Sequence, residues 1–408
     1  RTIAKLCDPY GIAAIFGLDP VETKNIANIA VALIGNRSAV VIKTPAGRIQ
    51  HYSIPVGKLY IATASGQKEV DIAQGAKQIM AVVDGLRQVA DIQGEACTAI
   101  GGMLGRIKQS LSDSSGQPDQ QIKVRDMLAV DTIAFQQIKG AIAGETCPNR
   151  AVGIAAMVYS DRQLMAELVD NLQTALRNPV SIGGVEVQMA LNGALTTPGC
   201  ARPLVVLDMG SGSVDAVSCD DAGKPRFIHL AGAGEMVTRL IDAELDLRDR
   251  EEAEMIKRYP AVRVNSLFYY TLEDGQLVFT ADPFPLAVFG KTALLLEDGI
   301  LYPLKKDIPL AQLIQVRRAC KRKVLLTNAL RALTKVAPAG NIRVFDHVVM
   351  VGGSALDFEI PQIISQHLLN NYGVVAGIGN IRGCLGPRNA VAVGLIQHYL
   401  QQSAEGRG

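Results

Sequence analysis

Tryptophan is absent from this chain of 408 residues, and aromatic residues make up only 5% of it. Platforms that stack nucleic-acid bases need aromatic rings, so that mode of binding is not the expectation. An excess of charge is lacking as well. Lys and Arg number 41 against 39 Asp and Glu, a formal net charge of +2. A protein that grips nucleic acid through its phosphates needs a basic surplus, so no nucleic-acid partner is expected. No apolar run approaches the roughly 18 residues of a membrane helix, and no membrane partner is expected either. The seven cysteines are scattered and never form Cys-x-x-Cys. Their spacing fits neither a zinc site nor a disulfide framework, which points to reduced thiols in a cytoplasmic protein. No signal peptide is visible, and the chain opens on Arg1, so an upstream piece is expected to be missing.

What is present is an ordinary globular composition, 48% hydrophobic and 20% charged, long enough for about two to three domains. The first half mixes helices and strands. Asp19-Pro20-Val21-Glu22 has capping-box spacing and predicts a helix running to Gly35. Ala39–Lys43 reads as a strand and Pro45-Ala46-Gly47 as a turn. Ile72, Ala76, Ile79, Met80 and Val83 repeat at helical spacing, as do Leu164, Leu168, Leu172 and Leu176. Residues 112–120 (SDSSGQPDQ) read as a loop.

The second half carries three glycine-rich sites. Leu204-Val205-Val206-Leu207 is a buried strand that runs into Asp208-Met209-Gly210-Ser211-Gly212-Ser213, and a second strand follows from Val214 to Ser218. Glycines there allow a tight turn that brings N–H groups close to an anion. Asp208 can hold a Mg²⁺ ion through water or orient an attacking water, and Ser213 adds a hydroxyl. A glycine-rich hairpin capped by an Asp fits this segment equally well. Leu230-Ala-Gly-Ala-Gly-Glu235, with Gly232 and Gly234, precedes a helix starting near Met236. The positive end of that helix favours a phosphate, and packing at a helix start is the plainer alternative. His347–Val351 is a buried strand ending in Gly352-Gly353-Ser354, where a ligand can lie against bare backbone. Helical patterns follow at Ile360–Asn371 and Asn389–Leu400. The basic segment Arg317, Arg318, Lys321, Arg322 and Lys323 reads as one solvated helix face, or as a source of contacts to a nucleotide through Arg318 and Lys321. The charged run from Leu247 to Arg258 reads as a salt-laced exposed helix. Competing motifs fail: Gly290-Lys291-Thr292 lacks the first glycine of a P-loop, and neither Gly-x-Ser-x-Gly nor His-Glu-x-x-His occurs.

The order of the three glycine sites is similar to that of the actin-like (ribonuclease H-like) ATPase superfamily, an α/β fold of two similar halves around a nucleotide. Longer segments narrow the resemblance. They are Asp8–Ile12 (DPYGI), Leu33–Val41 (LIGNRSAVV), Ile100–Met103 (IGGM), Leu128–Thr132 (LAVDT), Gly193–Gly199 (GALTTPG) and His229–Gly234 (HLAGAG). Thr327–Ala332 (TNALRA), Val351–Pro361 (VGGSALDFEIP), Gly379–Gly383 (GNIRG) and Gly386–Val391 (GPRNAV) complete them. Together they resemble the large subunits of diol or glycerol dehydratase-reactivating factors, over nearly the whole chain.

That resemblance implies an ATP-dependent chaperone that frees damaged cobalamin from an inactivated adenosylcobalamin-dependent dehydratase. It implies ATP or ADP and Mg²⁺ as cofactors, with a reactivase small subunit and the dehydratase as partners. The location implied is cytoplasmic, including a bacterial microcompartment. The site residues implied are Asp208, as catalytic residue and metal holder, and Gly210, Ser211, Gly212, Ser213, Gly232, Gly234, Glu235, Arg318, Lys321, Gly352, Gly353 and Ser354 around the nucleotide. Ser211 departs from the Ala or Gly expected there, and Glu235 stands at a variable place. Residues 1–200 are expected to be the remainder of the first half with an inserted region. Residues 201–408 are expected to be the second half, with a smaller insert around 255–310. The superfamily's first phosphate loop and the family's swivelling domain are expected to lie outside the chain, which is therefore expected to be inactive by itself. An actin-like small-molecule kinase and a non-catalytic scaffold are the other readings.

Overall fold

The computed structural model describes residues 29–35, 38–43, 49–86, 88–115, 118–137, 146–158, 162–220 and 224–405. In chain order, the first half opens with strands β1 (Ile29–Gly35), β2 (Ser38–Lys43), β3 (Ile49–Ile54), β4 (Lys58–Thr63) and β5 (Gly66–Asp71). Helix α1 (Ala76–Gly85), β6 (Asp91–Gly94), α2 (Ala99–Ser115), β7 (Val124–Gln137), β8 (Thr146–Val158), α3 (Arg162–Leu176) and α4 (Glu186–Ala194) follow. Strands β1, β8 and β7 form one antiparallel sheet, β5, β4 and β6 a second, and β2 with β3 a hairpin. Ile79 and Val83 of α1 and Met103, Leu104 and Ile107 of α2 lie one helical turn apart on a single face. They bury against Leu59, Ile61, Ile92 and Ile154 of the strands.

The second half is built on a five-stranded sheet in the order β11-β10-β9-β17-β18. Its members are β9 (Leu204–Met209), β10 (Ser213–Cys219), β11 (Pro225–Ala231), β17 (His347–Val351) and β18 (Val375–Ile378). The first three run antiparallel as consecutive hairpins, and β17 and β18 lie parallel to β9. All of β9 is buried, as its Val and Leu run requires of a strand covered on both faces. Helices α5 (Gly234–Glu244) and α6 (Arg250–Arg258) lead out of β11. A separate antiparallel sheet follows, β12 (Ala261–Ser266), β13 (Tyr269–Thr271), β14 (Leu277–Phe279), β15 (Thr292–Leu295) and β16 (Leu301–Pro303). The chain then forms α7 (Leu310–Lys321), a π-helical turn (Arg322–Leu326) and α8 (Thr327–Val336) in one continuous rod. Helices α9 (Ile360–Tyr372) and α10 (Ala390–Glu405) complete the half. The largest core joins both halves. Leu128, Val130, Ala155 and Met157 from β7 and β8 pack with Met236, Val237, Leu240 and Ile241 of α5.

Two expectations need correction. Residues 29–35 form strand β1, paired with β8, instead of the end of a helix begun at Asp19. The alternation Ile29-Ala-Val-Ala-Leu-Ile34 is good strand sequence, and cross-strand pairing outweighs an upstream cap signal. Residues 19–28 and the turn at 45–47 lie outside the described residues. Residues 112–115 continue α2, because its buried face carries the helix into the polar Ser-Asp-Ser-Ser end. Beyond it, residues 119–121 form a 3₁₀ turn. Gly290 and Lys291 form the turn into β15 with no helix after them, and so make no P-loop.

Candidate functional site

Asp208 stands at the end of β9, where it pairs directly across the hairpin with Asp215 of β10. Both are buried, at 8% and 3% exposure. Two like charges facing each other across a ladder destabilise it unless a proton or a cation comes between them. Burial pushes the Asp208 carboxyl up to about 7, and Asp215 and Glu186 push the same way. No described residue donates a hydrogen bond to that carboxylate. Asp215 accepts from Ser213 Oγ at 3.3 Å through Oδ2. His229 of β11 brings Nδ1 to 3.2 Å from Asp215 Oδ1, yet the contact is bent, and this buried oxygen has no aligned donor. Pairing with Asp215 holds the His229 pKa above its ordinary value, against its burial. Glu186, exposed in the first turn of α4, has its carboxyl raised by the protein around it and by Asp215.

The three glycine-rich segments converge. Gly210 N–H donates to Ser213 O at 3.0 Å and closes the hairpin loop. Gly234 N–H donates to Gly210 O at 3.3 Å, Glu235 N–H to Ser211 O at 2.7 Å, and Gly232 N–H to Gly212 O at 2.8 Å. Ser354 Oγ donates to Gly210 O at 3.1 Å. Gly352 sits at φ +88°, and a Cβ there would lie 2.2 Å from Asp208 Oδ1. The bare backbone at 352 is what admits the Asp208 carboxylate. No described residue accepts from the N–H groups of Ser211, Gly212, Gly353 or Ser354. Two loops thus present unpaired backbone donors beside a buried carboxylate, an arrangement suited to a phosphate.

The second glycine segment is placed differently. The first N–H groups of α5 are spent on loop carbonyls, so the helix end offers no open anion site in this arrangement. Gly232, at φ +95°, faces Leu128 and Ala155 of the first half, and a Cβ there would lie 2.8 Å from Leu128 Cδ2. The carboxylate of Glu235 is taken by Arg239 at 2.8 Å and Arg250 at 2.5 Å.

The basic segment is not a solvated face. Arg317 and Lys321 are fully buried. Glu359 accepts from Arg317 through both oxygens at 2.8 and 2.9 Å, from Arg318 at 2.7 Å and from Lys321 at 2.8 Å. Asp357 also accepts from Lys321 at 2.8 Å, and Glu273, between β13 and β14, accepts from Arg317 at 2.6 Å. Arg318 remains half exposed, at 52%. Burial alone would raise the Glu359 carboxyl. The hydrogen bond from Arg317 and the charges of Lys321 and Arg317 overcome it and hold the pKa at about 2.

Sequence reasoning passed over four groups. Asp215, His229 and Glu186 gather around Asp208, and the signal available was Asp215 recurring two residues after Ser213 on one strand. Lys257 belongs to the run read as an exposed helix, yet its side chain is only 12% exposed. Its Nζ donates to Gly234 O at 3.1 Å and Thr238 Oγ1 at 2.8 Å and pairs with Glu254 at 2.5 Å. That ammonium therefore adjoins the converged loops. Among the described residues no group of three or more His, Cys, Asp or Glu side chains is placed to hold a metal alone. Nor is any helix long and apolar enough to cross a membrane.

The sheet order, with antiparallel hairpins leading into parallel strands and a carboxylate at the first hairpin, defines the actin-like ATPase fold class. The chain belongs to the diol dehydratase reactivase family. The model of the diol dehydratase reactivase ATPase-like domain matches residues 70–399. That of the swivelling domain of the reactivating factor matches residues 1–49, which corrects the expectation that this domain lies wholly outside the chain. The large subunit of diol dehydratase-reactivating factor from Klebsiella michiganensis is 47% identical over 407 residues, covering 100% of this chain and 66% of that protein. The propanediol dehydratase-reactivating factor large subunit of Salmonella typhimurium is similar to the same extent. Among solved structures, glycerol dehydratase reactivase aligns with a TM-score of 0.77 at 48% identity, over 97% of this chain and 65% of that one. Diol dehydratase-reactivating factor in nucleotide-free form gives 0.76 at 47%, with the same coverage. The chain thus spans about two thirds of the length of these relatives.

Proposed function

We propose that this chain is the nucleotide-handling part of the large subunit of an ATP-dependent reactivating factor. In this reading the factor releases damaged cobalamin from an inactivated adenosylcobalamin-dependent diol or glycerol dehydratase. The observation that carries the reading is the convergence of the 210–213 and 352–354 loops around Asp208, in a chain of the reactivase family. ATP or ADP would lie with its phosphates against the N–H groups of Ser211, Gly212, Gly353 and Ser354. Of the two basic candidates for the nucleoside side, only the half-exposed Arg318 is open to a direct contact.

The donor set fits a hydrated Mg²⁺ ion. Such an ion takes one or two carboxylates, keeps several waters and shares phosphate oxygens. Asp208 without a donor and the orphaned Asp215 Oδ1 are partners of that kind. The ion would supply charge neutralisation on the phosphates. Asp208 orients the water that attacks the terminal phosphate, and Asp215 is held by Ser213 with the His229 ring beside it. A small subunit and the dead dehydratase are the proposed partners. Nucleotide can drive their exchange only through a different affinity for the two states of the complex. The proposed location is cytoplasmic.

The test uses the full-length large subunit with its small subunit, glycerol-inactivated diol dehydratase, ATP and Mg²⁺. Activity should return on adding intact coenzyme. Asp208→Ala should abolish ATP turnover and reactivation while the fold persists. Undiminished hydrolysis in that variant would refute the role of Asp208, and ATP hydrolysis without reactivation would refute the client.

A further inference from the structure

The rod formed by α7, the π-turn and α8 runs beside both halves of the molecule. The π-turn adds a residue to the helical repeat, a feature common at functional positions. Immediately after it, Asn328 and Arg331 lie three apart and therefore on one face. Asn328 is fully buried. Its Nδ2 donates to Ala231 O at 2.7 Å and to Gly232 O at 2.6 Å. Its Oδ1 accepts from Arg331 Nη1 at 2.6 Å. The orientation of the amide is fixed, because carbonyls only accept and a guanidinium only donates.

Arg331 continues into the first half. Its Nε donates to Asp84 Oδ1 of α1 at 2.8 Å, and Nη2 lies 3.4 Å from Asp126 Oδ1 of β7. Asp126 Oδ2 in turn accepts from Ala231 N–H at 2.8 Å. The ring closes: β7, Arg331, Asn328 and the Ala231 peptide hold one another, and both sides of residue 231 are gripped. Gly232 N–H then donates to Gly212 O. From a first-half strand to the phosphate-side hairpin there are only these few bonds.

We infer that Asn328 and Arg331 are positioning residues that tie the 210–213 hairpin to the first half, so that nucleotide affinity depends on how β7 is seated. Neither residue touches the nucleotide. The inference rests on the nucleotide reading above and extends it to a specific route between the halves. A merely structural network would add stability and leave the affinity of the folded molecule alone. The ring instead fixes the carbonyls of Ala231 and Gly232 from one side while Asp126 fixes the N–H from the other. Loss of either partner lets the hairpin shift relative to β7.

The deciding experiment is calorimetric titration of the full-length subunit with Mg-ADP, for wild type, Asn328→Ala, Arg331→Lys and the double variant. Each single variant should raise the ADP dissociation constant at least tenfold. The double variant should cost no more than the larger single effect, since both break one ring. An unchanged dissociation constant, or additive losses, would overturn the inference. Hydrogen exchange provides a readout that needs no nucleotide. Asn328→Ala should loosen the bonded amides of Gly210 and Gly232 together with residues 124–128, and loosening confined to α8 would refute the route. Should Asn328→Ala not fold, Arg331→Lys is read by the same exchange criterion. Wild type that binds no ADP would overturn the nucleotide reading and the affinity half of this inference, while the exchange result would still decide whether the two residues tie the hairpin to β7.

Discussion

A methyl group at position 352 would meet Asp208 Oδ1 at 2.2 Å and Met209 O at 2.7 Å, on backbone already at φ +88°. Met209 O is backbone and cannot turn aside, and Asp208 Oδ1 ends a short, buried side chain with little room to move. Gly352→Ala should therefore cost about 1–3 kcal/mol in strain and displace the carboxylate, lowering nucleotide affinity at least tenfold by titration. Binding at wild-type strength would show that the loop has room to yield. Asp208 supports a second prediction through its proton. Unfolded, its carboxyl titrates near the ordinary value of about 4; folded, it titrates at about 7. The folded state holds the proton more tightly, so the stability complete below about pH 4 is lost as pH rises through 7. The loss is on the order of 4 kcal/mol at most. Asp208→Asn should raise the melting temperature at pH 8 and leave it near wild type at pH 4.5. Equal gains at both would mean that Asp208 is not a buried, repelled carboxylate.

Among the elements, the joint between α7 and the start of α9 centres on one acid, with Asp357 and Glu273 beside it. Glu359 meets Arg317, Arg318 and Lys321, with the Phe358 ring centroid 4.8 Å from the Arg317 guanidinium and 4.5 Å from Lys321 Nζ. Glu359→Gln leaves two fully buried cations short of their shared partner, which should cost about 3–5 kcal/mol. Glu359 titrates at about 2 when folded, below its unfolded value. Its contribution is therefore present above about pH 4.5 and fades as pH falls towards 2. Urea unfolding should show a large gap between variant and wild type at pH 7 and a smaller one at pH 3. A gap that does not change with pH would contradict the ionised role. This joint also shows why sequence stops short. Arg317, Arg318 and Lys321 have the spacing of any charged helix face, and the acids that bury two of them lie about 40 residues away in sequence. By contrast, β9 and β17 were legible, because each is a short apolar run followed by glycine, and β10 because Gly212 marks the turn back from β9. Asp208 with its loop was legible for the same reason. Asp215 was not, since its importance comes from register across a hairpin. Nor was β1, whose pairing with β8 depends on residues more than a hundred positions on.

The whole molecule is joined by more than polar contacts. Leu128 of β7 is fully buried in the core that also holds Val205, Leu207 and Met236, and Gly232 lies against its side chain. A second core is confined to the first half, around Ile61, Ile79 and Ile154. Because β7 and β8 supply residues to both cores, neither half can lose its packing without exposing part of the other's. Unfolding of the two halves should accordingly be one cooperative event. Leu128→Ala tests this where the cores meet. Removing that side chain costs about 2–5 kcal/mol, depending on how far the cavity collapses. The expected result is a single transition shifted to lower denaturant, with protection lost together at Ile61 in the first half and Leu207 in the second. Two separated transitions, with Ile61 holding its protection after Leu207 has lost it, would mean that the halves are independent bodies linked only by polar contacts such as the Asn328 and Arg331 ring and the Thr132–Glu244 bond. The shared core would then carry none of the coupling between β7 and the phosphate-side hairpin.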